Sequence, residues 1–240
     1  MEFDTHWYIT ALLLFLGCTV QTAIGFGMAV IAAPILVIIN PQWVPYVLTF
    51  TALFLSMSNA WQQRQYILWA SLWSPMLSRI PGTVVGTWLL LIMPVLWLQL
   101  AVASMVIVTV IVSLWLKPFQ PNTTNLGIAG FISGVTGTTT SIGGPPIALV
   151  LQHSAGATAR ANLSMYFVYS CILSIIGYLL TGLMSWQLFY TSLSFLPFAA
   201  LGFFCGIKIQ RFVDNRFRPI LLGICTLSAL MAIINALANA

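Results

Sequence analysis

Gly137-Thr138-Thr139-Thr140-Ser141-Ile142-Gly143-Gly144-Pro145-Pro146 interrupts an apolar stretch that otherwise runs over 124–155. Glycine and proline both disfavour helix interiors, and two adjacent prolines forbid a continuous helix across this point. A second long stretch, 7–39, is broken by Gly25-Phe26-Gly27 and then Pro34. A straight helix of that length would reach about 50 Å, against a hydrocarbon core of about 30 Å. Each stretch is therefore either one crossing with an overhang or two half-helices folded into a hairpin.

The rest of the chain makes the membrane the relevant solvent. Of 240 residues 60% are apolar and 5% are charged, eight Lys/Arg against three Asp/Glu, with a mean hydropathy of +1.01. An average soluble domain carries about 25% charged residues. Eleven charges cannot cover a globule of this size, which excludes a soluble domain and a disordered chain alike. The net charge of +5 is scattered among apolar segments, with no basic run to follow a phosphate backbone, so nucleic acid is excluded as a partner. Cys18, Cys171, Cys205 and Cys225 lie inside apolar segments and read as packing residues, not a disulfide framework. Met1-Glu2-Phe3-Asp4 is acidic where a cleavable signal peptide needs a positive start, so the first apolar segment is expected to be retained.

Breaks at charges, prolines and polar runs divide the chain into 7–39, 43–61, 66–92, 95–116, 124–155, 162–182, 187–207 and 218–238. Positive charge chooses between the two readings of the long stretches. If both are hairpins and the N-terminus is outside, then Arg64, Lys117, Arg160, Lys208, Arg211, Arg216 and Arg218 all fall inside, as the positive-inside rule asks. If each crosses once, Arg64 and Lys117 fall outside. The hairpin topology is preferred, with both termini outside.

That topology implies a first repeat, 1–121 (hairpin 7–39, spans 43–61, 66–92 and 95–116), and a second, 122–240 (hairpin 124–155, spans 162–182, 187–207 and 218–238). Three crossings per repeat are odd, so the second is inverted and the hairpin tips meet near the midplane, where inverted-repeat transporters place substrate. Pro81/Gly86 against Pro197/Gly202 is offset by 116, and Gly17-x-Thr19 against Gly134-x-Thr136, like Trp69 against Trp186, by 117. Trp7, Tyr8, Trp43, Trp97 and Trp186 near outer ends, with Trp61, Tyr66, Trp69 and Trp115 near inner ends, would form two interfacial belts.

Broken backbone inside a membrane is tolerated where it is buried in protein or lines a cavity, and half-helix N-termini suit anions. The candidate substrate contacts are therefore Gln21, Thr22, Gly25, Phe26 and Gly27 in the first break, and Gly137, Thr138, Thr139, Thr140, Ser141, Gly143, Gly144 and Pro145 in the second. A plain kink, small-residue packing or a turn with self-satisfied hydroxyls is the competing reading. Arg79 is a lone cation inside a span and a functional candidate by default, although arginine can also snorkel. His153, at the end of the second hairpin, is a candidate proton-linked or substrate contact. Arg160 reads as a topology charge, and Asn59 and Gln62 to Gln65, at the end of the second span, as interfacial polar residues.

No carboxylate lies inside a span, so an Asp/Glu proton relay is not expected. No Walker motif, HExxH or Cys/His cluster is present, so neither a metal nor a cofactor is expected. Ser141 with His153 lacks any nucleophile motif that would indicate an enzyme.

The Gly25-Phe26-Gly27 and Pro34 break, Gly143-Gly144-Pro145-Pro146 and the paired Pro/Gly steps resemble the TauE/SafE family of sulfite exporter-like permeases, over essentially the whole chain. The resemblance implies a multi-pass protein of the bacterial or archaeal inner membrane with two homologous halves. It also implies transport of sulfur-containing anions such as sulfite or organosulfonates. Where the family pattern is richer in glycine, this chain has Thr138-Thr139-Thr140-Ser141. The expected fold is an all-α polytopic membrane protein of two inverted repeats, each a broken hairpin plus three spans. Its partners would be lipid and a small anion, with a homodimer left open. An anion channel of the same fold, or a membrane subunit or enzyme, is the alternative.

Overall fold

The computed structural model describes residues 4–115, 122–151 and 156–213, which fold into helices with no strand among them. Ten α-helices follow in order: α1 Thr5–Ile24, α2 Met28–Ile39, α3 Tyr46–Gln62, α4 Trp73–Ile92, α5 Val95–Trp115, α6 Thr123–Thr140, α7 Gly144–Leu151, α8 Gly156–Leu180, α9 Trp186–Ser194 and α10 Leu196–Val213. Single 3₁₀ turns at Pro41–Trp43, Arg64–Tyr66 and Trp69–Ser71 connect them. Among the described residues four helical stretches are long and apolar enough to cross a membrane: Thr5–Ile24, Trp69–Ile92, Gly156–Leu180 and Trp186–Gln210.

The first break is made by glycine. Gly25 (φ 105°) closes α1 and donates its N–H to the Gln21 carbonyl at 2.7 Å, and Gly27 (φ 124°) opens α2. Both angles are strained for any residue with a Cβ. The chain then turns back along itself: a Cβ on Gly17 would lie 3.1 Å from the Met28 backbone. Trp7, at the start of α1, and Trp43, beyond the end of α2, both pack on Phe195, with ring centroids 5.5 and 5.7 Å away. The two ends of this broken stretch therefore lie together, as a hairpin requires.

The second break is narrower than the sequence suggests. Thr136, Thr139 and Thr140 donate their hydroxyls to carbonyls four residues back, at 3.0, 2.9 and 2.8 Å, and α6 continues through Thr140. Only 141–143 leave the helix. Ser141 takes the left-handed conformation at φ 63°, its N–H bonded to the Gly137 carbonyl. It stands 116 residues after Gly25 and ends its helix in the same way. Pro145 and Pro146 fall in the first turn of α7, where a missing N–H costs least. The Ser133 hydroxyl donates to the Gly143 carbonyl at 2.6 Å, so this stretch also doubles back.

Two close, parallel helix crossings, α4 on α6 and α1 on α10, join early and late parts of the chain. Along α4 and α6, Ser74 bonds Thr123, Gly130 abuts Pro75, and Gly86 abuts Val135 and Thr138. Along α1 and α10, Trp7 meets Phe198, Gly202 abuts Phe15 and Cys18, and Gly206 abuts Thr22. Small residues let the backbones approach, which is the main source of helix association in lipid. Gly86 and Gly202, from the two Pro/Gly steps, each stand in one of the two crossings.

Several sequence expectations change. The span at 187–207 falls within one crossing stretch, Trp186–Gln210, interrupted at Phe195, because Pro197 offers no N–H to the carbonyl four residues earlier; Phe195 packs between Trp7 and Trp43. Trp7 and Trp43 thus pack inward instead of standing free in a belt, whereas Trp61, Trp69, Trp97 and Trp186 are exposed. Helix α8 starts at Gly156, so Arg160 is a buried helical residue whose stem lies over Gly25. Asn59 and Gln63 are also buried, whereas Gln62, Arg64 and Gln65 are exposed, and the Asn59 amide donates to Thr22. The predicted span 218–238, His153, Lys117, Arg216, Arg218 and Cys225 lie outside the described residues.

Candidate anion site

A cavity of about 50 Å³ lies where the two breaks meet. Its first wall is Gln21 and Gly27–Val30, the N-terminal edge of α2, with Phe26 beside them. The opposite wall is Gly137, Ser141, Ile142, Gly143 and Gly144. Thr49 of α3, Arg79 of α4, and Phe167, Ser170, Cys171 and Ser174 of α8 close the sides. The contacts that hold these walls are specific. Gln21 accepts from the Met28 N–H at 3.3 Å, Ser141 bonds Thr49 at 3.0 Å and the Pro45 carbonyl at 2.9 Å, and Phe26 covers Gly144.

Arg79 dominates the electrostatics. It is 3% exposed. Its Nη1 donates to the Ser133 carbonyl at 2.8 Å, to the Ser133 hydroxyl at 2.9 Å and to Tyr166 at 3.4 Å, and Nη2 reaches Ser174 at 3.5 Å. The guanidinium also stands 5.6 Å from the Tyr166 ring centroid. It lies flat against Gly137, where a Cβ would come within 3.0 Å of Nη2. Every one of these partners is neutral. Among the described residues the one acid is Asp4, which is exposed and caps α1 through the Trp7 N–H. A buried cation without a counter-charge costs several kcal/mol even after relaxation. Two polar atoms at the cavity are buried and without a partner, Arg79 Nε and Ser170 Oγ.

The sequence candidates separate cleanly. Gln21, Phe26, Gly27, Arg79, Gly137, Ser141, Gly143 and Gly144 line the cavity together. Thr22 faces Asn59 and Gly206, and Gly25 faces Arg160 and Leu163. Thr138 bonds Ser174 at 2.9 Å behind the wall, and Thr139 and Thr140 turn their hydroxyls onto their own helix. Pro145 faces a groove shared with α5 and α6. With Pro145 and Pro146 supplying no N–H, the start of α7 has fewer amide donors than a glycine-rich reading implies. The hydroxyls at the cavity come instead from Thr49, Ser141, Ser170 and Ser174. The α8 residues Ser170 and Ser174 were missed. Their spacing of four places them on one helix face, but nothing in the sequence pairs that face with Arg79.

The chain matches the family described as Sulfite exporter TauE/SafE over residues 9–232. No curated protein and no solved structure matches it. With apolar helices long enough to span and a family match over nearly its whole length, this multi-pass membrane protein belongs to the TauE/SafE family of sulfite exporters.

Proposed function

We propose that the chain moves small sulfur-containing oxyanions outward across the cytoplasmic membrane, with the cavity around Arg79 as the binding site. The observation that carries this reading is a buried arginine, bonded only to neutral groups, at the junction of two broken helices. A bound anion would supply the missing counter-charge and a partner for Arg79 Nε. The edges of α2 and Ser170 would add neutral donors, whose partial charges suit an oxyanion.

An inverted repeat with both termini outside would let the two hairpins rock against each other and open the site to each side in turn. The equal 116-residue spacing of the breaks and the matched Gly86 and Gly202 crossings support that reading. The membrane potential would push a monovalent anion outward with about 2.3 kcal/mol per 100 mV. The test is purified protein in liposomes: labelled sulfite should enter saturably and be accelerated by unlabelled sulfite on the far side. Non-saturating conduction would make it a channel, and no protein-dependent flux would make it a subunit of something larger.

A further inference from the structure

Sulfurous acid loses its second proton near neutral pH. Two anions of nearly equal size, hydrogensulfite and sulfite, are therefore offered to the cavity in the cell. Arg79 is the one cation that lines it among the described residues. The other titratable group on its wall is Cys171, with Tyr166 behind Arg79, both from α8. Tyr46 of α3 and Tyr169 and Tyr178 of α8 do not line it, and the described lining residues of α1, α2, α6 and α7 include no titratable group.

A monoanion against Arg79 forms a neutral pair. A dianion leaves a full negative charge buried among hydroxyls and apolar side chains, a large penalty in a medium that solvates charge poorly. The cavity also supplies what a protonated oxyanion needs. Ser170 is 3% exposed and its Oγ has no partner, so it can accept the proton of an acid oxyanion as readily as donate its own. The volume of about 50 Å³ is room for roughly three to five water-sized groups, the size of a small oxyanion.

Resting on the reading of this cavity as the transport site, we propose that it selects monoanions: it carries hydrogensulfite and excludes the sulfite and sulfate dianions. The proton then travels on the substrate, so no carboxylate relay is needed. One negative charge, not two, crosses in each cycle.

The experiment uses the purified chain in liposomes, with protein-free liposomes subtracted. Uptake of labelled sulfite, at a fixed total concentration below saturation, is followed from about one unit below to about one unit above its second pKa. Methanesulfonate, whose charge is constant over that range, is the reference monoanion. Sulfite uptake should fall about tenfold with the hydrogensulfite fraction while methanesulfonate uptake stays level. Unlabelled methanesulfonate should compete with sulfite, and sulfate should not. Sulfite uptake that is flat or rises relative to methanesulfonate, competition by sulfate, or no effect of methanesulfonate would overturn monoanion selection while leaving the transport site in place. No protein-dependent uptake of any anion would overturn both.

Discussion

The Arg79 guanidinium and the Ser133 hydroxyl meet at 2.9 Å, and that same hydroxyl donates to the Gly143 carbonyl at 2.6 Å. One serine thus joins the buried cation of α4 to the turn between α6 and α7. Both arms are satisfied by a single side chain that is wholly buried.

Ser133→Ala removes both bonds and leaves the Gly143 carbonyl without this donor. The expected cost is about 1–3 kcal/mol of stability. Arg79 keeps its bond to the backbone carbonyl of residue 133 but should be held less firmly. The Km for sulfite in liposomes should rise about tenfold or more, with a smaller change in maximal rate. Unchanged Km would show that the bridge does not position the cation.

Gly137→Ala puts a methyl group 3.0 Å from Arg79 Nη2, on the cavity side. Gly127→Ala, in the same helix, meets only the Ser74 hydroxyl at 3.4 Å. The first should weaken anion binding severalfold in a thermal-shift titration. The second should leave binding intact and be neutral or stabilising by up to about 1 kcal/mol, as alanine is the better helix former.

Gly86→Ala and Gly202→Ala test the two helix crossings. A Cβ at Gly86 would lie 2.8 Å from the Val135 carbonyl, and at Gly202 2.7 Å from Cys18 Cβ and the Phe15 carbonyl. Neither neighbour is the end of a flexible chain. Each substitution should cost about 1–3 kcal/mol by forcing the helices apart, read as a lower unfolding temperature in detergent. The two shifts should be of similar size if the crossings are equivalent.

The topology predicts opposite labelling at two engineered sites in a background without the native cysteines. Asn40→Cys should react with an impermeant maleimide on intact cells. Gln65→Cys, which is exposed next to Arg64, should react only after permeabilisation. Asn40→Cys that labels only from inside would contradict the hairpin arrangement.

The fold was legible where chemistry is one-dimensional. Charge scarcity marks the membrane, and Gly25, Gly27 and the Pro145-Pro146 pair mark the breaks, because these are backbone properties of the residues themselves. Helix α6 ran farther than expected because threonine hydroxyls can be absorbed by the preceding turn, as those of Thr139 and Thr140 are. The same absorption removes them from the site. Half of the cavity was legible for the same reason the breaks were. Ser170, Ser174 and Thr49 were not, because ordinary-looking spans acquire their role only when α3 and α8 pack beside Arg79. Arg160 read only as a topology charge because nothing in the sequence says that Gly25 will make room for its stem.

The most direct test of Arg79 as the anion's counter-charge is sulfite uptake by liposomes holding equal amounts of wild-type protein and Arg79→Gln. Uptake by the variant should fall by about 100-fold, about 2.8 kcal/mol. Sulfite should raise the unfolding temperature of the wild type and not of the variant, which without anion should be at least as stable because a buried, uncompensated charge is gone. Arg79→Gln that carries sulfite with wild-type rate and Km would contradict the assignment of this cavity as the anion site.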